Sequence, residues 1–179
     1  MNIAKTQTFF NEHRITTIAM GGVLLATFVF WAYTARAAST ATVAATVTAT
    51  NLAVSVSDGS IAFGSVALNT ATTTAGNSDT QTVTNDGSTA QMNVKSSNAT
   101  GGTTWTLGTS AGSDTFKLEV STTTGSSYMT LQATDTYLTA SSSMTSLLSD
   151  TLDFRFTTPT ASTDFVQKSI TITVQVTSL

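Results

Sequence analysis

The sequence predicts an all-β protein, an antiparallel β-sandwich preceded by an N-terminal hydrophobic leader helix. Three observations carry that prediction. Short runs of alternating apolar and polar residues recur along the chain behind residue 50, as half-buried strands require. Turn pairs and polar loops separate these runs, and no convincing helical periodicity follows the leader. Serine and threonine supply about a third of the residues, and threonine is β-branched and suits strands.

The leader comes first. Lys5, His13 and Arg14 precede an apolar run from Ile15 to Tyr33, and Ala35-Arg36-Ala37 follows it. Basic residues, an apolar stretch and a small-x-small site describe a signal peptide over 1–37. The mature chain then begins at Ala38. The apolar run also approaches the roughly 20 residues that cross a bilayer, so a retained membrane anchor is the second reading. The basic residues favour a cytoplasmic N-terminus in both.

Behind the leader lies an extended segment, residues 38–50. Its odd positions Ala41, Val43, Ala45, Val47 and Ala49 make a small apolar face, and Thr42, Thr46, Thr48 and Thr50 lie on the other. Side chains alternate along a strand. No hairpin turn joins this segment to the next one. The following run, Leu52, Val54 and Val56, is in the opposite phase. Asn51 therefore marks a bulge or a change of sheet. A change of sheet would leave 41–50 free to pair outside its own domain, as a donor strand.

Residues 51–179 read as one domain. Leu52–Ser57 runs to the turn pair Asp58-Gly59. Ile61–Leu68 is a second apolar run, with Gly64 inside it. The stretch 69–78 reads as a polar loop, and 79–84 as a strand. Asn85-Asp86-Gly87-Ser88 is the strongest turn signal. Ala90, Met92 and Val94 alternate behind it, and Asn98–Gly102 turns the chain before Trp105 and Leu107. Phe116, Leu118 and Val120 form an apolar face opposite Lys117 and Glu119. A turn at 124–127 precedes Tyr128–Leu131. Residues 132–150 are irregular, and Tyr137, Leu138, Met144, Leu147 and Leu148 are expected to cover one end of the core. Leu152, Phe154 and Phe156 alternate up to Pro159, which ends that strand because it cannot donate to a ladder. Ile170, Ile172, Val174 and Val176 close the domain.

Two stretches resemble the immunoglobulin-like domains of secreted bacterial and archaeal surface proteins. One runs from Ile61–Asn69 (IAFGSVALN) through Gln81–Ser88 (QTVTNDGS), and the other pairs Leu152–Pro159 (LDFRFTTP) with Ile170–Val174 (ITITV). The layout of signal peptide, extended N-terminal strand and one jelly-roll-like sandwich is similar to the TasA/camelysin family of matrix-fibre proteins and to archaeal bundling pilins. That resemblance implies an extracellular homopolymer, a pilus-like filament of a biofilm matrix. In that group the strand of one subunit completes the sheet of the next.

Composition excludes several functions. The chain carries a net charge of −3 and only 7 Lys and Arg, and the leader holds Lys5, Arg14 and Arg36 of these. A domain so poor in cations is not expected to bind nucleic acid, or a membrane except through the leader. No cysteine is present, so no disulfide framework supports the fold. His13, the one histidine, lies in the leader, which removes the commonest general base and metal ligand from the rest. No catalytic residue, metal site or cofactor is expected, and the chain does not read as an enzyme.

The remaining polar candidates have bland readings beside the functional ones. Asp150 and Asp153 are close enough to suggest a glycosidase pair, but solvated positions at a loop end and a wet strand face explain them. Asp79, Asp86, Asp114 and Asp135 are candidate calcium ligands at sheet ends, without a Asp-x-Asp-x-Asp-Gly loop. Lys117 and Glu119 read as a surface ion pair of little worth. Trp105 is a sugar-stacking candidate or, on an alternating strand, core. Asn98-Ala99-Thr100 matches the N-glycosylation pattern or is a plain turn.

Two functions follow as expectations. The first is a secreted filament subunit whose partner is itself, polymerised through Ala41, Val43, Ala45, Val47 and Ala49. The alternative is a membrane-tethered monomeric module that binds other cells or surface glycans.

Overall fold

The computed structural model describes residues 40–179. The leader expected over 1–37 lies outside them. Thr48–Leu179 forms one compact unit, and its ten strands are all the regular structure among the described residues. The all-β expectation holds there.

The strands form two sheets. The larger has the order β1 (Val54–Val56), β3 (Gln81–Asn85), β9 (Ser149–Thr157), β6 (Thr115–Ser121) and β5 (Thr106–Gly108). Two short strands complete it: β2 (Ala71–Thr73) pairs with β9, and β7 (Met129–Thr130) with β6. The smaller sheet has the order β10 (Ile172–Ser178), β4 (Ala90–Ser96), β8 (Leu138–Met144). The hydrophobic core lies between them. Phe116, Leu118 and Val120 of β6 and Leu152, Phe154 and Phe156 of β9 meet Met92 and Val94 of β4 and Met144 of β8 in one buried cluster. Phe156 stacks between Phe63 and Phe116, at centroid distances of 5.1 and 5.3 Å. Such pairs favour offset geometry and add to the burial of apolar area. The two-sheet arrangement is compatible with the sandwich expected.

Several elements differ from the sequence reading, each for a physical reason. Ile61–Leu68 is no strand, because Gly64 adopts a left-handed φ of 71° that breaks the extended run. Ile61 and Phe63 still pack on the core as coil. The expected loop 69–78 contains β2, held by β9. The irregular stretch 132–150 contains β8, whose register against β4 shifts twice, between Ala90 and Met92 and between Met92 and Asn93. Those bulges and the run Ser141–Ser143 erase the period-two signal. Met144 is buried there and Leu138 half-buried, but Tyr137, Leu147 and Leu148 are exposed and cover no core. β5 and β6 are parallel, against the antiparallel expectation. β5 is three residues long, so loop 109–114 can carry the chain back to start β6 beside it.

Candidate assembly groove

The N-terminal segment joins the domain at the Asn85–Ser88 turn. The Ser88 amide donates to the Asn51 carbonyl (2.6 Å) and the Asp86 amide to the Ala53 carbonyl (3.0 Å). The Asn51 amide donates to Ser88 Oγ (3.1 Å). With Val54 opposite Asn85 and the Ser57 amide bonded to the Thr82 carbonyl, the antiparallel register is unbroken from Asn51 to Ser57. Asn51 is therefore no bulge, and the chain runs straight past the turn. Gly87 permits this close passage, since a Cβ there would sit 2.2 Å from the Asn51 carbonyl oxygen. Residues 40–50 have no ladder partner among the described residues. Ala41, Val43, Ala45, Val47 and Ala49 are all exposed, Val43 by 91% and Val47 by 95%.

Each sheet ends in an open strand on the same side of the domain. Among the described residues β1 pairs only with β3, and β10 only with β4. Both border an apolar groove of about 1090 Å³. Val83, Leu152, Phe154 and Phe156 of the larger sheet make its floor, with Ile61 and Phe63 on one wall and Ile170, Ile172 and Val174 on the other. Those last three are only half-buried, whereas Val176, further along β10, is 7% exposed. Gln81 lies on the floor with Oε1 buried and unpartnered, while its Nε2 donates to the Ser60 carbonyl (2.9 Å).

The wall beside Ile170 is anchored by Lys168. Its Nζ donates to the carbonyls of Thr103 (2.6 Å) and Gly101 and to Asp164 Oδ2 (2.8 Å), and sits 5.3 Å from the Trp105 ring centre. That ammonium, with the amides of Val166 and Thr103, holds the Asp164 carboxyl at about 2, below its usual 3.8. Trp105 is buried, as expected for core, and its Nε1 donates to Ser162 Oγ (3.0 Å).

No family model matches the chain, and no curated protein or solved structure matches it either.

The polar candidates on the outer face of the larger sheet are not solvated positions. Asp153 is fully buried under residues 74–80: Oδ1 accepts from Thr74 Oγ1 (3.1 Å) and Thr80 Oγ1 (2.5 Å), and Oδ2 has no partner. Glu119 is 3% exposed. It accepts two hydrogen bonds from Arg155 and a salt bridge from Lys117 at 2.8 Å. The Arg155 guanidinium, more than Lys117, brings its carboxyl down to about 2. The surface-pair reading of Lys117 and Glu119 is corrected accordingly. What conceals these groups from a sequence is their cover: residues 74–80 over Asp153, and the side chains of Arg155, Lys117 and Thr130 around Glu119.

Asp79, Asp114 and Asp135 each bind a different protein donor: the Ala62 amide, Ser162 Oγ and Lys95 Nζ. Among the described residues no three His, Cys, Asp or Glu side chains converge as metal ligands. Asn98 is half-buried, and its Oδ1 accepts from the Leu107 amide (2.9 Å), which ties the turn to β5. The groove itself had one sequence signal: the run Ile61–Leu68, apolar yet interrupted by glycine, lies along its wall.

Proposed function

We propose that this chain is a secreted structural subunit that polymerises into an extracellular, pilus-like filament by donating residues 41–50 to a neighbouring copy. The observation that carries this reading is the exposure of Val43 and Val47 on an unpaired segment with alternating apolar positions. An extended peptide binds a sheet edge through its backbone and takes its register from alternate side chains. Each backbone bond contributes about 0.5–1.5 kcal/mol net, and each buried valine about 1.5 kcal/mol or more. Several of each make an association as strong as the stability of a small domain. A matrix fibre or bundling pilus, with an immunoglobulin-like or jelly-roll body and a cleaved leader, is the corresponding biological form.

Negative-stain microscopy tests this. The full chain is expressed with its leader and purified, beside a variant carrying Val43→Lys and Val47→Lys. Filaments are expected from the first and single particles from the second, with the same urea midpoint for both. Filaments from the lysine variant overturn the reading. Single particles from both point instead to the tethered adhesion module.

A further inference from the structure

We infer that the acceptor for the donated strand is the free edge of β10, where residues 41–50 of a second copy add a fourth strand to the smaller sheet. This rests on the strand-donation reading above and names the site that reading leaves open.

The free edges are not equivalent. β8 closes the other side of the smaller sheet; its Ala140 and Met144 are already buried and Ser141–Ser143 are polar, so Leu138 alone is a half-buried apolar residue there. β5 is three residues long, too short to hold ten. β1 borders the groove too, but a strand added to β1 would widen the sheet that is already the wider one. A strand added to β10 does the opposite. It widens the narrower sheet beside its half-buried Ile172 and Val174.

The backbone of β10 is ready for a partner. The Ser97 amide donates to the Thr171 carbonyl (2.9 Å), and β4 runs antiparallel to β10 from that point. Alternation then turns the amides and carbonyls of Ile172, Val174 and Val176 away from β4. A new strand pairs with those groups and buries the half-exposed side chains of Ile172 and Val174 at once.

The donor matches in length and charge. Ten residues reach at most about 33 Å, and the seven residues of β10 span about 23 Å. Residues 41–50 hold no charge. Among the described residues the only charged one lining the groove is Lys168, already neutralised by Asp164. Asn51 itself is paired with Ser88 in line with β1. Each copy gives one strand and takes one, a heterologous contact that builds an open filament.

Engineered disulfides test the site, because the chain has no cysteine of its own. Cysteine is placed at Val43, Ala45 or Val47, in separate variants, together with Val174→Cys on β10 or Ser142→Cys on β8. One of the β10 combinations is expected to yield a ladder of covalent multimers on a non-reducing gel, and the β8 combinations none. A ladder from β8 alone, or filaments without any β10 ladder, overturns the β10 assignment and leaves strand donation standing. Absence of filaments in the unsubstituted chain overturns both. Hydrogen exchange needs no substitution: the Ile172, Val174 and Val176 amides are expected to slow by about tenfold or more in filaments. Unchanged exchange there, with filaments present, also overturns the assignment.

Discussion

Arg155 and Glu119 are joined by two parallel hydrogen bonds across the β9–β6 pair, Nε to Oε2 at 2.6 Å and Nη2 to Oε1 at 2.8 Å. The residues sit directly opposite each other in the ladder. Tyr128 packs over the guanidinium, 4.4 Å from its ring centre. Fork geometry of this kind is among the stronger ionic contacts, and here its carboxylate is out of water. The outer face of the larger sheet is thus a second, polar interior.

Acid should weaken the fold through this pair. The folded Glu119 carboxyl titrates at about 2 against an ordinary 4.5, so its stabilisation is complete above the unfolded value and is lost as pH falls through the folded one. The urea midpoint is expected to drop between pH 4.5 and 2, and the drop should shrink in Arg155→Ala. At neutral pH that variant should lose about 2 kcal/mol, since Lys117 remains and the arginine is partly exposed. The Asp164 contribution has the same sign and should fade in high salt. A flat midpoint across this range would contradict the assignment of both carboxylates.

Thr74 holds the covering loop to β9. Its Oγ1 accepts from the Phe154 amide (2.8 Å) and donates to Asp153 Oδ1 (3.1 Å). Thr74→Val keeps the shape and removes both bonds, leaving a buried amide unpaired and a buried carboxylate short of a donor. Unsatisfied buried groups cost about 1–3 kcal/mol each. Thr74→Val should therefore lose about 2–4 kcal/mol in urea unfolding, and Thr74→Ser distinctly less.

Gly87 sets where the N-terminal segment passes the Asn85–Ser88 turn. In Gly87→Ala the new Cβ meets the backbone of Asn51 and Ala53, which are main-chain atoms and cannot rotate away. Overpacking of this kind costs about 1–3 kcal/mol. Amides of Asp86 and Ser88, bonded to that segment, should exchange faster in the variant by NMR, while those of β6 should not. Equal exchange at both places would show that the contact is unimportant.

Much of the fold was legible in the sequence because burial imposes alternation. Ala90, Met92 and Val94, then Phe116, Leu118 and Val120, then Leu152 and Phe154, read as inward faces, and all of them are buried. The turn at Asn85–Ser88 read from its residue types, and Pro159 lies just beyond the end of β9. Alternation says which face of a strand is covered by something. It does not say by what, and it vanishes where a bulge shifts the count, as along β8.

The sequence by itself determined strands such as β4, β6, β9 and β10, their inward faces and an N-terminal segment in a phase of its own. Only the tertiary structure decided which strands became edges, because an edge is defined by the neighbour it lacks. It placed β1 and β10 side by side as open edges and left Ile172 and Val174 half-covered at the groove. It also buried Asp153 under residues 74–80 and Glu119 among Arg155, Lys117 and Thr130. Exposure is a property of the surroundings of a side chain, and those are assembled from residues far apart along the chain.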